Sequence, residues 1–212
     1  MQNLFHLIQN YCEQHTSLPD QMLADLERET HLKTLSPQML SAGAQGKLLE
    51  FLASIMRPKA ILEIGTFTGY AAICLARGLA PEGVLHTIEV NPELEWLARK
   101  YFKKAGLDEK IKLHIGDAAG IIPNFPDENF DLILIDAGKQ QNELYYEMCL
   151  PKLKAGGFIL VDNVLWSGKV VQNAKDADTK LIRAFNAKIQ TDERVENLML
   201  PIRDGLFLIR KK

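Results

Sequence analysis

The chain has 212 residues, 47% of them hydrophobic, which suits a single globular domain that buries roughly two thirds of its unfolded surface. The formal net charge is −2, from 25 basic and 27 acidic residues, so no strong field of one sign indicates a nucleic-acid or anionic-membrane partner, although a nucleic-acid substrate is not excluded. Cys12, Cys74 and Cys149 are far apart and form no CxxC pair, which argues against a disulfide framework and favours a reducing, cytoplasmic compartment.

Three helices are predicted within residues 1–57. Apolar residues recur there at helical spacing, for example Leu4, Leu7 and Ile8, and Pro19 and Pro37 lie near expected helix starts. These helices carry more apolar residues than one buried face needs, which predicts a homodimer. Because the segment lacks the pattern of a signal peptide, and no apolar run approaches the roughly 20 residues of a membrane span, we expect a protein that is neither exported nor membrane-bound.

After Pro58 the pattern changes to short apolar runs that alternate with segments of helical length. The runs cover residues 60–64, 84–89, 111–115, 132–135 and 158–161, and the helical segments cover residues 71–79, 92–105 and 143–153. Strands that alternate with helices predict βαβ units, and therefore a parallel sheet covered on both faces.

The last part of the chain is predicted to be a helix over residues 178–189 and two strands, 195–200 and 206–210. A connection as short as the one between these strands can only join antiparallel neighbours. The whole chain, residues 1–212, is therefore predicted to be one α/β domain with a Rossmann-like fold. Its seven-stranded sheet is mostly parallel, with an antiparallel strand at the C-terminus and helices on both faces.

The first strand of this sheet leads into a glycine-containing turn with the sequence EIGTFTGY, residues 63–70. Ligands of open α/β sheets bind at the carboxyl ends of the strands, and a helix N-terminus after such a turn attracts an anionic group. The dinucleotide fingerprint GxGxxG requires glycine where Phe67 stands, so a pyrophosphate is disfavoured and a ligand with a carboxylate fits better. The alternative is an ordinary turn with no ligand.

Glu89 ends the second strand, where its carboxylate is expected to accept hydrogen bonds from both hydroxyls of a ribose. On its own, a glutamate at this position is more often an exposed strand end. Together with the glycine turn in the same βαβ unit, it predicts an adenosyl ligand and disfavours a nicotinamide dehydrogenase.

Acidic and amide side chains follow two later strands. Asp136 closes the fourth strand, and Asp162 and Asn163 close the fifth. Three oxygen ligands without His or Cys suit a hard divalent cation, with Mg²⁺ the first choice and Mn²⁺ or Ca²⁺ as alternatives. Each of these residues also has a simpler interpretation as a turn former or helix cap, and Lys139 as a solvated residue at a helix start.

At this point the sequence resembles a known family. The motifs EIGTFTGY at 63–70, DAGK at 136–139, DNVLWSGKV at 162–170 and LPIRDG at 200–205 stand in the order and spacing of the cation-dependent O-methyltransferases. That family includes the catechol and caffeoyl-CoA O-methyltransferases. The similarity covers about residues 39–211.

The resemblance implies that the cofactor is S-adenosylmethionine (SAM). The implied cofactor contacts are Met39, Glu63, Gly65, Phe67, Thr68, Gly69, Glu89, Asp117, Ala118 and Asp136. It also implies that Asp136, Asp162 and Asn163 bind the metal, and that Lys139 acts with Asp136 in catalysis beside the acceptor hydroxyl. Trp166 is predicted to form an apolar wall for the acceptor ring, with a core or loop anchor as an equal alternative.

Three positions differ from the usual family pattern. Ala71 stands where a serine commonly helps to hold the SAM carboxylate, a role for which Thr68 is the expected substitute. Gly138 replaces the second Asp of the frequent sequence Asp-Ala-Asp-Lys, and Asn142 replaces a tyrosine. The last two border the region where SAM and the acceptor meet, so they bear on the identity of the acceptor.

These observations predict a SAM-dependent and divalent-metal-dependent O-methyltransferase that acts on a vicinal dihydroxy aromatic (catechol-like) small molecule. Two alternatives remain open from the sequence. One is a tRNA hydroxyuridine O-methyltransferase, with Arg99, Lys100, Lys103 and Lys104 as a basic contact surface, although a solvated helix face explains these charges as well. The other is a SAM-binding module without catalysis, against which the complete set of site residues argues.

Overall fold

The structure, a computed structural model, describes residues 2–212, so the predicted domain boundary at Met1 lies outside the described residues. The three predicted N-terminal helices are present: α1 (Gln2–Gln14), α2 (Gln21–Lys33) and α3 (Gly43–Met56). A short 3-10 turn, Pro37–Met39, lies between α2 and α3. Over residues 2–212, none of the helices combines the length and the apolar composition that crossing a bilayer requires.

A seven-stranded sheet forms the centre of the molecule, with the strand order β3-β2-β1-β4-β5-β7-β6. Adjacent strands from β3 to β5 pair in parallel, whereas β7 is antiparallel to both β5 and β6. The predicted fold class is therefore confirmed. The strands are β1 (Ala60–Ile64), β2 (Val84–Glu89), β3 (Ile111–Ile115), β4 (Phe130–Ile135), β5 (Leu153–Asp162), β6 (Val195–Leu200) and β7 (Leu206–Lys211).

Helices cover both faces of the sheet because the central strands are apolar on both sides. Along β4, Leu132 and Leu134 pack on the face that carries α2 and α3, whereas Ile133 and Ile135 pack on the opposite face. The period of two in this strand thus divides the core into two layers. The remaining helices are α4 (Tyr70–Arg77), α5 (Glu95–Lys104), α6 (Ala118–Ile121), α7 (Asn142–Cys149) and α8 (Ala177–Thr191).

Several predicted element bounds were wrong. The fifth strand starts at Leu153 rather than at residue 158, because Leu153 pairs with Phe130 across an irregularity in the register, and two glycines in this stretch hide the strand signal. The predicted helix 143–153 ends at Cys149, since Pro151 has no amide N–H with which to continue the helical hydrogen bonds. The predicted helix 92–105 is a 3-10 turn, Pro92–Leu94, followed by α5.

The order of the strands reverses next to β1, which pairs with β2 on one side and with β4 on the other. Such a reversal opens a crevice at the carboxyl ends of the strands. Main-chain hydrogen bonds hold the chain here: the amide of Gly65 donates to Ile88 (2.9 Å), and the amide of Asp136 donates to Ile64 (2.9 Å). The glycine turn and the first predicted metal ligand are thereby fixed at the same edge of the sheet.

Candidate active site

The glycine turn after β1 depends on its two glycines. Gly65 has φ = +98°, and a Cβ atom there would lie 2.0 Å from the carbonyl oxygen of Asp136. Gly69 has φ = +93°, and its Cβ would lie 2.5 Å from the ring of Phe102. Since side chains can replace neither glycine without moving the backbone, both residues are needed for the close packing of the turn.

Glu89 lies beneath this turn, with 7% of its surface exposed. One carboxylate oxygen accepts a hydrogen bond from the amide of Phe67 (2.7 Å), and the other accepts from the amide of Asn91 (2.8 Å). Phe67 is held with φ = +50°, a conformation that residues other than glycine rarely adopt. Glu89 therefore shapes the turn, and each of its oxygens keeps a lone pair for a ligand hydroxyl.

A cleft opens between the glycine turn and the segment that precedes α3. Its lining brings four of the predicted cofactor contacts together: Met39, Gly65, Phe67 and Asp136. The complete lining consists of Met39, Leu40, Ser41, Gly65, Thr66, Phe67, Tyr70, Ala71 and Asp136.

Other predicted cofactor residues lie outside this lining. Thr68 is fully buried, and its hydroxyl is hydrogen-bonded to that of Thr30 at 2.9 Å, which argues against its expected contact with a carboxylate. Asp117 is exposed and caps α6 by accepting from the amide of Ala119 (3.1 Å), while Ala118 is buried. The contacts of these residues with the cofactor stay predictions.

Glu63 is fully buried under the turn and accepts a hydrogen bond from the Thr87 hydroxyl, which is also 2.5 Å from that of Thr66. Burial, together with the nearby charges of Asp136 and Glu89, raises the pKa of Glu63 to about 8. Its other carboxyl oxygen has no hydrogen-bond partner among the residues that the structure describes. Glu63 supports the floor of the site, and its direct contact with a cofactor stays a prediction.

The two predicted acidic ligands stand close enough for their charges to repel. Burial and the neighbouring Asp162 raise the pKa of Asp136 to about 7, even though the Ser41 hydroxyl donates to its carboxylate at 2.9 Å. Burial also raises the pKa of Asp162, which Gln45, the amide of Asn163 and the nearby positive charges partly oppose. Two carboxylates that repel each other in a buried position form a site that a cation would stabilise.

One oxygen of Asp162 is buried and lacks a hydrogen-bond partner within the described part of the chain. Asn163, the next residue, has φ = +62° and is partly exposed. Within residues 2–212, no three His, Cys, Asp or Glu residues cluster as a ready metal site. The predicted site therefore depends on two carboxylates and the amide of Asn163, a set that leaves several coordination positions to water or to an acceptor.

Lys139 and Trp166 lie together, with Lys139 close enough to the acidic pair for its charge to act on both carboxylates. The Lys139 Nζ atom is 3.6 Å from the centre of the Trp166 ring, and that of Lys169 is 5.6 Å away. The positive charge of Lys139 lowers the pKa of both Asp136 and Asp162. The structure thus brings together the predicted base, the predicted ring wall and the acidic pair.

Arg203, in the connection between β6 and β7, is bonded to the segment before α3 and to α3 itself, and its charge acts on the acidic pair. Its Nη1 atom donates to the carbonyl oxygen of Leu40 (2.8 Å) and to the side chain of Gln45 (3.0 Å). Its charge also lowers the pKa of Asp136 and Asp162. Sequence reasoning missed these roles of Arg203, Ser41 and Gln45.

Two of the four cationic side chains on the basic face of α5 are paired with carboxylates. Arg99 pairs with Glu95 at 2.7 Å, and Lys100 pairs with Glu29 at 2.5 Å. Lys104 lies over the Tyr101 ring, 4.8 Å from its centre. Pairing with carboxylates reduces the positive charge that this face offers to phosphates, so it is better explained as a solvated helix surface.

Both the sequence and the fold of this chain are similar to those of known proteins. The sequence model of the O-methyltransferase family matches residues 13–212. A Dictyostelium discoideum protein named "Probable caffeoyl-CoA O-methyltransferase 1" is 32% identical over 210 residues, which cover 96% of this chain and 91% of that protein. The catechol O-methyltransferase of Mycobacterium tuberculosis is 34% identical over 147 residues, which cover 69% of this chain and 67% of that protein.

A solved structure is similar over the full length of both chains. The O-methyltransferase from Bacillus cereus, in complex with SAH, superposes with a TM-score of 0.88 at 30% sequence identity, and the match covers 100% of each chain. The likeness therefore includes α1 to α3 as well as the sheet.

Proposed function

The chain belongs to the O-methyltransferase family and is a SAM-dependent enzyme of the caffeoyl-CoA and catechol type. We propose that it methylates one hydroxyl of a vicinal dihydroxy aromatic compound and that a divalent cation assists the reaction. The observation that carries this proposal is the proximity of Lys139, which lies over the Trp166 ring, to an acidic pair, Asp136 and Asp162, of which Asp136 also lines the cleft. These groups together can hold a cation, accept a proton and contact a ring.

The residues present fit a hard divalent cation. Asp136, Asp162 and Asn163 would hold it through oxygen atoms, and the buried oxygen of Asp162 that lacks a partner among the described residues supports this assignment. When bound, such a cation supplies positive charge that favours the ionised form of an adjacent hydroxyl. Mg²⁺ is the ion that this donor set suits best, and Mn²⁺ and Ca²⁺ have the same preference for oxygen.

SAM supplies the methyl group, and the cleft would hold it. Glu89 would accept hydrogen bonds from its ribose hydroxyls, while Gly65 and Met39 would line the region of its methionine part. Methyl transfer requires the acceptor oxygen, the methyl carbon and the sulfur to lie nearly in line, so the rigid turn around Gly65 contributes by fixing one end of that line.

Lys139 is the proposed general base. Its Nζ atom, without its proton, would accept the proton of the acceptor hydroxyl. The phenolate oxygen would then bond to the methyl carbon while the carbon–sulfur bond breaks, and S-adenosylhomocysteine would leave. Trp166, next to Lys139, would pack against the acceptor ring and exclude water, which strengthens the attraction between the phenolate and the sulfonium. Both roles require the acceptor to lie between the acidic pair and the ring of Trp166.

The experiment that tests this function is an acceptor screen with methyl-labelled SAM and Mg²⁺. The panel contains catechols, catechol-carrying thioesters, matched monohydroxy aromatics and undermodified tRNA. We expect transfer to compounds with adjacent hydroxyls and none to the monohydroxy controls. Transfer to tRNA alone would replace the small-molecule proposal, and SAM binding without transfer to any acceptor would favour a non-catalytic module.

We also propose that the chain is a cytoplasmic homodimer. The apolar residues of α1 are exposed in the single chain, for example Leu4 at 62%, Leu7 at 58% and Tyr11 at 62%. Apolar surface of this kind on one helix favours burial against a second copy. Cys12, Cys74 and Cys149 are free thiols, in agreement with a reducing compartment.

A further inference from the structure

The loop that follows β5 carries an unusual amount of backbone strain. Asn163, Trp166 and Ser167 have φ values of +62°, +50° and +51°, and Gly168 follows with +73°. Each left-handed conformation of a residue other than glycine costs on the order of 1–3 kcal/mol, and such conformations persist only where the surroundings enforce them. The loop contains Trp166, so the position of that ring depends on whatever holds this backbone.

Arg183, on α8, is bonded to the far half of the loop. Its Nε atom donates to the carbonyl oxygen of Val170 (3.0 Å), and Nη1 donates to that of Ala174 (2.9 Å). Its Nη2 atom donates to Lys169 (2.9 Å) and also to Gln172. A single guanidinium thus satisfies four main-chain carbonyl groups between residues 169 and 174.

Contacts with α8 and with the β6–β7 connection hold the near half of the loop. Asn186, one turn along α8, donates from Nδ2 to the carbonyl oxygen of Val164 (2.8 Å). The amide of Leu165 donates to the carbonyl oxygen of Asp204 (2.8 Å). The amide of Ser167 also donates to the carboxylate of Asp204. The strained residues 166–168 are therefore held by the β6–β7 connection on one side, and Arg183 is the group that holds the segment after them.

Arg183 has no ion pair with a carboxylate in the structure of residues 2–212. A buried or half-buried arginine is usually paired with an acid, whereas this one is directed entirely at the main chain of one loop. The contacts of Arg183 therefore depend on the planar guanidinium group and its five N–H donors, rather than on its positive charge.

We propose that Arg183 is a positioning residue that holds the loop of residues 163–174 in its strained form and so fixes Trp166 at the acceptor side of the site. The part that concerns catalysis rests on the proposed function, because Trp166 is assigned there to the acceptor ring. The part that concerns loop geometry is independent of the reaction.

Arg183→Lys is the sharpest variant, because it keeps the charge and the aliphatic stem but cannot reach four carbonyl groups. The chain has two tryptophans, so a Trp96→Phe background leaves Trp166 as the only tryptophan, which can be excited selectively over tyrosine. In this background we expect Arg183→Lys to raise the acrylamide quenching constant of Trp166 about twofold or more. Lys180→Met, an exposed position on the same helix, is the matched control and should leave quenching unchanged.

The kinetic test uses the enzyme with saturating SAM and Mg²⁺. In Arg183→Lys, a misplaced acceptor wall should lower kcat/KM for a catechol roughly 10- to 100-fold. The Kd for SAM measured by calorimetry should stay within about twofold, since none of the cleft-lining residues belongs to the loop that Arg183 holds. If the guanidinium hydrogen bonds matter and the charge does not, Arg183→Ala should change kcat/KM and the Kd for SAM in the same way as Arg183→Lys. If Arg183→Ala does not fold, Arg183→Lys alone decides the question.

Unchanged quenching of Trp166 in Arg183→Lys overturns the inference, whatever the acceptor is. An equal loss of SAM affinity and acceptor efficiency also overturns it, because it indicates a general structural defect. Absence of catechol methylation by the unaltered enzyme contradicts the proposed function instead, and the quenching result still decides whether Arg183 holds the loop.

Discussion

Replacement of Glu89 by glutamine separates the two tasks that the structure gives to this carboxylate. Its oxygens accept from the amides of Phe67 (2.7 Å) and Asn91 (2.8 Å), and the proposed ribose hydroxyls would use the remaining lone pairs. In Glu89→Gln one oxygen becomes an NH₂ group, which cannot accept from the main-chain amide that faces it. At least one charge-assisted hydrogen bond is then lost from the turn or from the ligand.

The size of the effect follows from the value of a hydrogen bond to a charged group, roughly 1.5–3 kcal/mol. If the loss falls on the ribose, the Kd for SAM rises roughly 10- to 150-fold. If it falls on the turn, the melting temperature without SAM decreases by roughly 3–12 °C for a domain of this size. Calorimetry with SAM and thermal melting without it measure the two effects separately.

Glu93→Gln is the matched control, because Glu93 is exposed four residues further along and lies outside the cleft. It should change neither the Kd nor the melting temperature beyond experimental error. A Glu89→Gln protein that is folded and binds SAM with the affinity of the unaltered chain would remove Glu89 from the cofactor site and refute this reasoning.

Three further predictions concern the base, the assembly and the buried floor of the site. Lys139→Ala should keep its affinity for SAM but lose roughly 10²–10⁴-fold in kcat; wild-type turnover with chemistry rate-limiting would exclude Lys139 as the base. Light scattering should give about twice the 23.9 kDa of one chain, and Leu7→Glu on α1 should shift the mass to one chain; a single-chain mass before the substitution contradicts the dimer. Because the pKa of Glu63 is raised to about 8, its contribution to stability is present below pH 4.5 and is lost as the pH rises through 8. The free energy of unfolding of the unaltered protein should therefore fall between pH 5 and pH 8 in metal-free buffer. In Glu63→Gln this fall should be smaller by up to roughly 3 kcal/mol, and an equal fall in both proteins would contradict this.

The sheet and its topology could be predicted from sequence because the signals are local. Apolar runs of strand length end at turn-forming or acidic residues, and the short connection before Leu206 permits only an antiparallel pair. Strand β5 shows the limit of this reasoning. Its start at Leu153 is set by pairing with Phe130 across the sheet, and no pattern within residues 153–157 reveals that partner.

The acidic pair and the glycine turn were likewise predictable, since each ends a strand and parallel strands end at the same edge. The groups that support them were not. Ser41 is 95 positions from Asp136, to which it donates a hydrogen bond, and Arg203 is 163 positions from Leu40. A serine, a glutamine or an arginine in a loop carries no periodic signal, so only the folded chain reveals these contacts.

The strained loop after β5 also has one feature that the sequence predicts and one that only the folded chain shows. The sequence DNVLWSGKV marks a functional segment, yet it does not indicate that Trp166 and Ser167 adopt left-handed backbone conformations. Those conformations are imposed from α8 and from the β6–β7 connection, both distant in sequence. Local preference would favour another backbone shape, and tertiary hydrogen bonds override it.

The most direct test of the central claim is methyl transfer from labelled SAM to catechol, measured with Mg²⁺ and with excess EDTA, while SAM binding is followed in parallel by calorimetry. Because the acidic pair would hold the cation and Glu89 would hold the ribose, we expect EDTA to abolish transfer and leave the Kd for SAM within about threefold. Asp162→Ala should reproduce the EDTA result in the presence of Mg²⁺. Full transfer to catechol in excess EDTA would contradict the proposed role of the metal.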